Sequence, residues 1–281
     1  MKKYILIILV LLICFVFFYG IEKNIENMEN NKKILFTCTS FISKPNKYES
    51  LIKTLDSFLK YTNTNQISKL IIINEYGENT QSQINKLNKK YPQFEFINKT
   101  KEQKGQAYSI NMIIDILRDN HYDYWIHWED SWILEKPFLD RALDIMDDNK
   151  VDQLQLIPRW NKVKKERKQV HVTKKNNSYI EIKKINDSLD DQLKPFGNCK
   201  SYNLNWENNF DNWPLFSLSP GIDKVDKIIK TGYFDNSQDL WPITFEFKWS
   251  VNWLCNGARK AVLDDVLCKR VENHESTYEQ N

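Results

Sequence analysis

The sequence predicts an α/β fold, a mostly parallel sheet flanked by helices, and three observations carry that prediction. Short β-leaning apolar runs alternate with amphipathic helical stretches from Lys33 to Trp128. The runs are apolar at successive positions, as strands covered on both faces must be. The chain of 281 residues is also long enough, after an apolar N-terminal stretch, for one large domain or two small ones.

The N-terminal stretch comes first. Met1, Lys2 and Lys3 precede Tyr4 to Ile21, 18 residues without a charge. At about 1.5 Å per residue, a helix of that length just spans a hydrocarbon layer of about 30 Å. Bulky Phe17, Phe18 and Tyr19 stand where a cleavage site needs small residues, which favours an uncleaved transmembrane signal anchor over residues 1–21. The lysines before the span leave the N-terminus cytosolic and the rest of the chain facing the ER/Golgi or an equivalent lumen. Residues 22–32 have no apolar period and read as a short stem, so 33–281 is the folded domain.

The elements follow in order. KILFTCT (Lys33 to Thr39) reads as a strand, and Tyr48 to Tyr61 as a helix with Leu51, Ile52, Leu55, Phe58 and Leu59 on one face. LIIIN (Leu70 to Asn74) precedes a helix bearing Ile84 and Leu87. FEFI (Phe94 to Ile97) precedes the helix Gly105 to Arg118, and Tyr124 to Trp128 is the fourth strand. A helix near Pro137 to Asp147 and a strand Val151 to Ile157 close this series. Beyond it, VHVTK and SYIEIK flank Asn176-Asn177 as a hairpin, and Asn256-Gly257 ends a helix over roughly Thr244 to Cys255. Alternating βα units of this kind place ligands at the C-terminal ends of the strands.

Composition removes several classes. With 40 Lys+Arg against 37 Asp+Glu the net charge is only +3, and no long basic block occurs, so a nucleic-acid partner is not expected. The basic stretch Lys162 to Lys175 reads as a solvated hairpin or as a contact for an anionic acceptor or headgroups. No G-x-G-x-x-G or G-x-x-x-x-G-K-[ST] occurs, against a dinucleotide enzyme or a P-loop ATPase. Cys14 sits in the apolar stretch; Cys38, Cys199, Cys255 and Cys268 have no zinc-like spacing, leaving disulfides and free thiols both open. Asn98, Asn176 and Asn186 fit a glycosylation sequon, a weak sign of a glycoprotein in a chain so rich in asparagine.

The sharpest local pattern is YDYWIHWEDSW, Tyr122 to Trp132. An aromatic strand runs into Glu129-Asp130-Ser131, which puts two carboxylates at a strand's C-terminal end. Carboxylates there can hold a divalent cation against a diphosphate, or simply form an acidic turn. Strand alternation points His127 opposite Trp128, toward the sheet interior or a helix.

On these segments the chain resembles glycosyltransferases of the GT-A fold, most closely the family 2 type. KILFTCTSF resembles the opening strand and donor loop, LIIINEYG the second strand, KGQAYSINMII the stretch ahead of the metal strand, and WIHWEDSW the strand ending in the DxD-type motif. LSPGI with IIKTGYF resembles the acceptor-side segment, FEFKWSVNWLCNGARKAVL the helix that supplies the base, and CKRVENHEST the terminal histidine segment. The resemblance implies a nucleotide-sugar half, 33–158, and an acceptor half, 159–281.

It also implies roles. Thr39, Glu75, Gly105, Asn111 and Asp130 would contact a UDP- or GDP-linked sugar; Glu129, Asp130 and His274 would hold Mn²⁺ or Mg²⁺; Glu246, with Asp239 as second choice, would be the catalytic base. Trp206, Trp213, Trp241 and Trp249 are candidates for an acceptor platform, on which a pyranose of a glycan, glycoprotein or lipid acceptor stacks. Ser131 stands where the pattern usually has a second acid, and the glycine after the tail histidine is absent. A non-catalytic glycan-binding relative and a membrane-tethered interaction protein therefore stand beside the enzyme.

Overall fold

Ile34–Ser40 (β1) is buried along nearly its whole length, because its residues are apolar or short polar, and so it takes an inner position in the sheet. The computed structural model describes residues 32–78, 80–147, 151–157, 170–175, 179–184, 197–198, 201–202, 216–237, 242–263, 265 and 267–271. The fold lies within the unit Ile34–Asn281. The anchor at 1–21, most of the stem, Asp239, Trp206, Trp213, Trp241 and His274 lie outside the described residues. Among the described residues no helix is long and apolar enough to cross a membrane.

Lys69–Asn74 (β2) and Tyr124–Glu129 (β4) flank β1 in parallel, and Glu95–Asn98 (β3) runs parallel beyond β2. Pro45–Tyr61 (α1) and Gln81–Lys90 (α2) make the first two crossovers, and Gln106–Asn120 (α3) carries the chain back across the sheet to β4. Proline at the start of α1 presets its first turn, where the missing N–H costs nothing.

Strand alternation decides which helix covers which face. Phe36, Cys38, Ile126 and Trp128 point to the side of α1 and α2, where Leu51, Leu55, Phe58 and Ile84 meet them. Leu35, Ile71 and Trp125 point to the other side, against Ile110, Ile113 and Leu117 of α3. Because β2 and β3 lie on one side of β1 and β4 on the other, the order reverses between β1 and β4. That reversal opens a crevice at the C-terminal ends of the strands, the usual ligand position in such sheets.

The second half extends the same sheet. Gly221–Lys224 (β11) pairs antiparallel with β4, and beyond it come Gln153–Gln155 (β6), Lys260–Leu263 (β12), Tyr179–Lys184 (β8) and Val170–Lys175 (β7). The sheet is thus mixed, with its parallel part around β1 and the hairpin at one edge. Val225–Thr231 (α5) and Pro242–Cys255 (α6) join α3 on its face, while Leu139–Asp147 (α4) joins α1. Trp132–Leu134 (β5) pairs with Cys268–Arg270 (β13), a small sheet directly after Glu129-Asp130-Ser131. Gly197–Asn198 (β9) and Ser201–Tyr202 (β10) form another.

Cys38 and Cys268 are free and buried. Cys255 is disulfide-bonded, with its partner outside the described residues.

Candidate active site

The parallel register brings polar residues level with one another at the crevice. Ser40 lies beside Asn74, Asn74 beside Asn98, and Thr39 beside Glu129. Their side chains form a ladder: Ser40 Oγ donates to Asn74 Oδ1 at 3.2 Å, and Asn74 Nδ2 donates to Asn98 Oδ1 at 3.3 Å. The amide of Ile42 also donates to Asn74 Oδ1, at 3.1 Å, so the loop after β1 is pinned to β2. Buried polar ends require such partners.

Next to the ladder, Glu75 leaves β2 and meets the start of α3. Glu75 Oε2 accepts from Lys99 Nζ at 2.7 Å and from the amide of Gly105 at 3.1 Å. Gly105 is exposed and has φ +94, a left-handed value at which a side chain would be strained. Thr39, half-buried, accepts the amide of Asp130 on its carbonyl at 3.1 Å, tying the end of β1 to the turn after β4.

The acidic pair divides. Glu129 is half-buried and faces α3 and β5: Gln106 Nε2 donates to Oε1 at 3.2 Å and Trp132 Nε1 to Oε2 at 3.0 Å. Desolvation pushes its pKa up, the Trp132 bond opposing and the Asp130 charge adding to the rise. Asp130 turns the other way, into the α1 side. Its Oδ2 accepts from the amide of Phe41 at 2.9 Å and its Oδ1 from Lys47 Nζ at 3.3 Å, with both side chains buried. Burial raises the Asp130 pKa against the pull of Lys47. The expectation that both carboxylates grip one ion meets this geometry: successive residues at a strand end point to opposite faces, and Asp130 braces the β1–α1 loop.

Asn111 and Trp249 also sit away from the crevice. The Asn111 side chain donates to Phe234 O at 2.9 Å and accepts from Phe234 N at 2.8 Å, a two-point bracket between α3 and the segment after α5. Donor contact from this side chain would break that bracket. Trp249 is 2% exposed, stacks on Phe234 at 4.5 Å and 7°, and donates to Gly232 O. A sugar platform needs an open indole face, and this one is core.

Glu246, in the first turns of α6, is half-buried, and its Oε1 accepts from the amide of Leu218 at 2.8 Å. Leu218 leads into β11, whose Gly221 pairs with His127, two residues before Glu129 on the same strand face. Glu246 is therefore tied to the strand next to the one carrying Glu129.

Similarity to solved structures matches this architecture. The Pyrobaculum calidifontis mannosyltransferase PcManGT, solved with GDP-Man and Mn²⁺, aligns over 88% of this chain and 58% of its own at 12% identity, with a TM-score of 0.54. S. aureus TarS residues 1–349 with UDP-GlcNAc aligns over 89% and 61% at 12% identity and 0.53. GalNAc-T7 with UDP, GalNAc and Mn²⁺ aligns over 84% and 43% at 10% identity and 0.54. This chain has the GT-A fold. It spans less than two thirds of each of those three chains. No model of a known protein family matches the sequence, and no curated protein does.

Two lysines at the C-terminal edge of the sheet escaped sequence reasoning. Lys99 and Lys47 each pair with a carboxylate on the site. In a chain with 40 Lys+Arg, no local pattern sets either apart. Among the described residues no group of three or more His, Cys, Asp or Glu could hold a metal ion. Glu129 is the described carboxylate that faces the crevice from β4, and its hard oxygens suit Mn²⁺ or Mg²⁺.

Proposed function

We propose that this protein is a glycosyltransferase that moves a sugar from a UDP- or GDP-linked donor to a glycan, glycoprotein or lipid acceptor. The observation that carries the reading is that Glu75 and Glu129 stand at the C-terminal ends of β2 and β4, and Glu246 is tied to the N-terminal end of the antiparallel β11 beside β4, within a GT-A sheet. PcManGT and GalNAc-T7, with the same fold, were solved with nucleotide, sugar and Mn²⁺.

In this account Glu75, fixed from below, receives the nucleoside. Glu129 would hold a divalent ion, with His274 and the donor's own phosphate oxygens completing the set; such an ion supplies Lewis-acid neutralisation of the leaving diphosphate. Gln106 and Trp132 hold the Glu129 carboxylate in orientation. Glu246 takes the proton of the acceptor hydroxyl, and the Leu218 amide fixes the carboxylate for that task. Transfer by direct attack on the face opposite the leaving group inverts the anomeric centre. Residues 1–21 anchor the enzyme, with the GT-A domain on the lumenal side.

The test is nucleotide binding by the full chain with and without Mn²⁺. A rise in thermal midpoint with UDP or GDP that grows in Mn²⁺ and shrinks in Glu129→Gln supports the reading. Glycan binding with no nucleotide response instead would identify a non-catalytic relative, the outcome that Ser131 keeps in play.

A further inference from the structure

Lys99 has no solvent exposure at its side chain, 0%, although it directly follows β3 at the C-terminal edge of the sheet. A lysine is rarely so enclosed unless it is paired, since stripping water from an ammonium is costly. An ammonium carries three donors. Here they reach Glu75 Oε2 at 2.7 Å, Gly105 O at 2.7 Å and Ser109 Oγ at 2.8 Å. Desolvation lowers its pKa, and the Glu75 bond and charge oppose that.

The three acceptors belong to the exit of β2, the glycine before α3, and the first turn of α3. The Gly105 amide returns to the same Glu75 oxygen at 3.1 Å, which closes the cluster into a ring. Lys99 itself is set in place by its amide, which donates to Asn74 O at 3.0 Å. Glu75 keeps 22% of its side chain exposed, while Lys99 keeps none. The cation thus acts on the carboxylate from behind.

A buried ion pair contributes little stability compared with an apolar filling, so stability alone is a poor reason for this one. Orientation is a better one. Oε2 of Glu75 is saturated by two donors and Oε1 accepts the amide of Tyr76 at 3.3 Å, so the carboxylate presents one edge to the crevice.

We propose that Lys99 is the positioning residue of the nucleoside subsite, holding the Glu75 carboxylate and the Gly105 turn in the geometry that accepts hydroxyl or ring N–H donors of a nucleoside. This rests on the glycosyltransferase reading. Lys99 touches no part of the donor; it cancels the charge of Glu75 where an anionic diphosphate must pass nearby, and fixes which way that residue looks.

The experiment compares the full chain with Lys99→Met, Ser109→Ala and Glu75→Ala, by calorimetric titration with UDP and GDP and by donor kinetics. Once Glu75 is no longer held, its charge-assisted hydrogen bond to the nucleoside is lost, a change worth about tenfold in affinity or more. Lys99→Met is expected to raise the nucleotide Kd and donor KM by about tenfold while leaving kcat nearly unchanged. In the Glu75→Ala background the same substitution is expected to add nothing, because Lys99 works through Glu75. Ser109→Ala, a milder change, gives a smaller rise of the same kind and serves if Lys99→Met does not fold. Wild-type affinity in folded Lys99→Met, or in Ser109→Ala if that is the variant that folds, overturns this proposal alone. A wild-type protein that binds neither UDP nor GDP overturns the glycosyltransferase reading and this proposal with it.

Discussion

Glu129 and Asp130 are neighbours in sequence, yet their carboxylates leave the end of β4 toward opposite faces of the sheet. Glu129 meets Gln106 and Trp132 on the crevice side, and Asp130 meets Lys47 and Phe41 on the α1 side. Their substitutions should therefore fail differently. Asp130→Ala leaves the buried Lys47 without this partner and should cost about 3–5 kcal/mol, seen as a lower urea midpoint. Glu129→Gln should keep the midpoint and lose transfer. Equal destabilisation by both would contradict the division of roles.

Glu246 should matter to chemistry more than to folding. Gln at this position can still accept from the Leu218 amide but cannot take a proton. A loss of about 10²–10⁴ in kcat is expected, with the thermal midpoint little changed. An active Glu246→Gln would move the base to Asp239.

His127 is buried, and neither ring nitrogen has a hydrogen-bond partner among the described residues. Burial lowers its pKa from 6.5 to about 3. Between those values the unfolded chain binds a proton that the folded one refuses, so stability falls as pH drops from 6.5 toward 3. His127→Phe removes the liability. Thermal midpoints at pH 7 and pH 5 should favour the variant more at pH 5; parallel profiles would show that His127 does not titrate in this way.

Asp223, on β11, gives the opposite slope. Burial raises its pKa from 3.8 to about 8, with the Gln153 bond opposing. In that window the unfolded chain has lost the proton that the folded chain keeps, so stability falls as pH rises from about 4 to about 8. Asn in its place retains an oxygen for Gln153 Nε2, which lies 2.9 Å from Asp223 Oδ1. Asp223→Asn should therefore gain on the wild type steadily from pH 5 to pH 8, as read by denaturant midpoints across that range.

The fold was legible where periodicity is local. The four parallel strands and the helices between them stand within a few residues of their expected bounds, because each buries its apolar face against a sequence neighbour. The hairpin β7–β8 followed from its turn residues. The insertion of β11 between β4 and β6 was not legible: a four-residue strand paired across long loops carries no periodic signature of its own. At the site, Glu129 and Glu246 stood out as acids in aromatic surroundings. The inward turn of Asp130, the bracket made by Asn111 and the burial of Trp249 depend on partners far along the chain. Lys99 and Lys47 were hidden by the abundance of lysine.

The central claim is turnover of a nucleotide sugar at Glu129. Release of nucleoside diphosphate by the full chain, measured across a panel of UDP- and GDP-linked sugars in Mn²⁺, tests it most directly. Release from at least one donor, abolished in Glu129→Gln and in Glu246→Gln, is the predicted result. No release from any donor, with no thermal response to UDP or GDP, would contradict it.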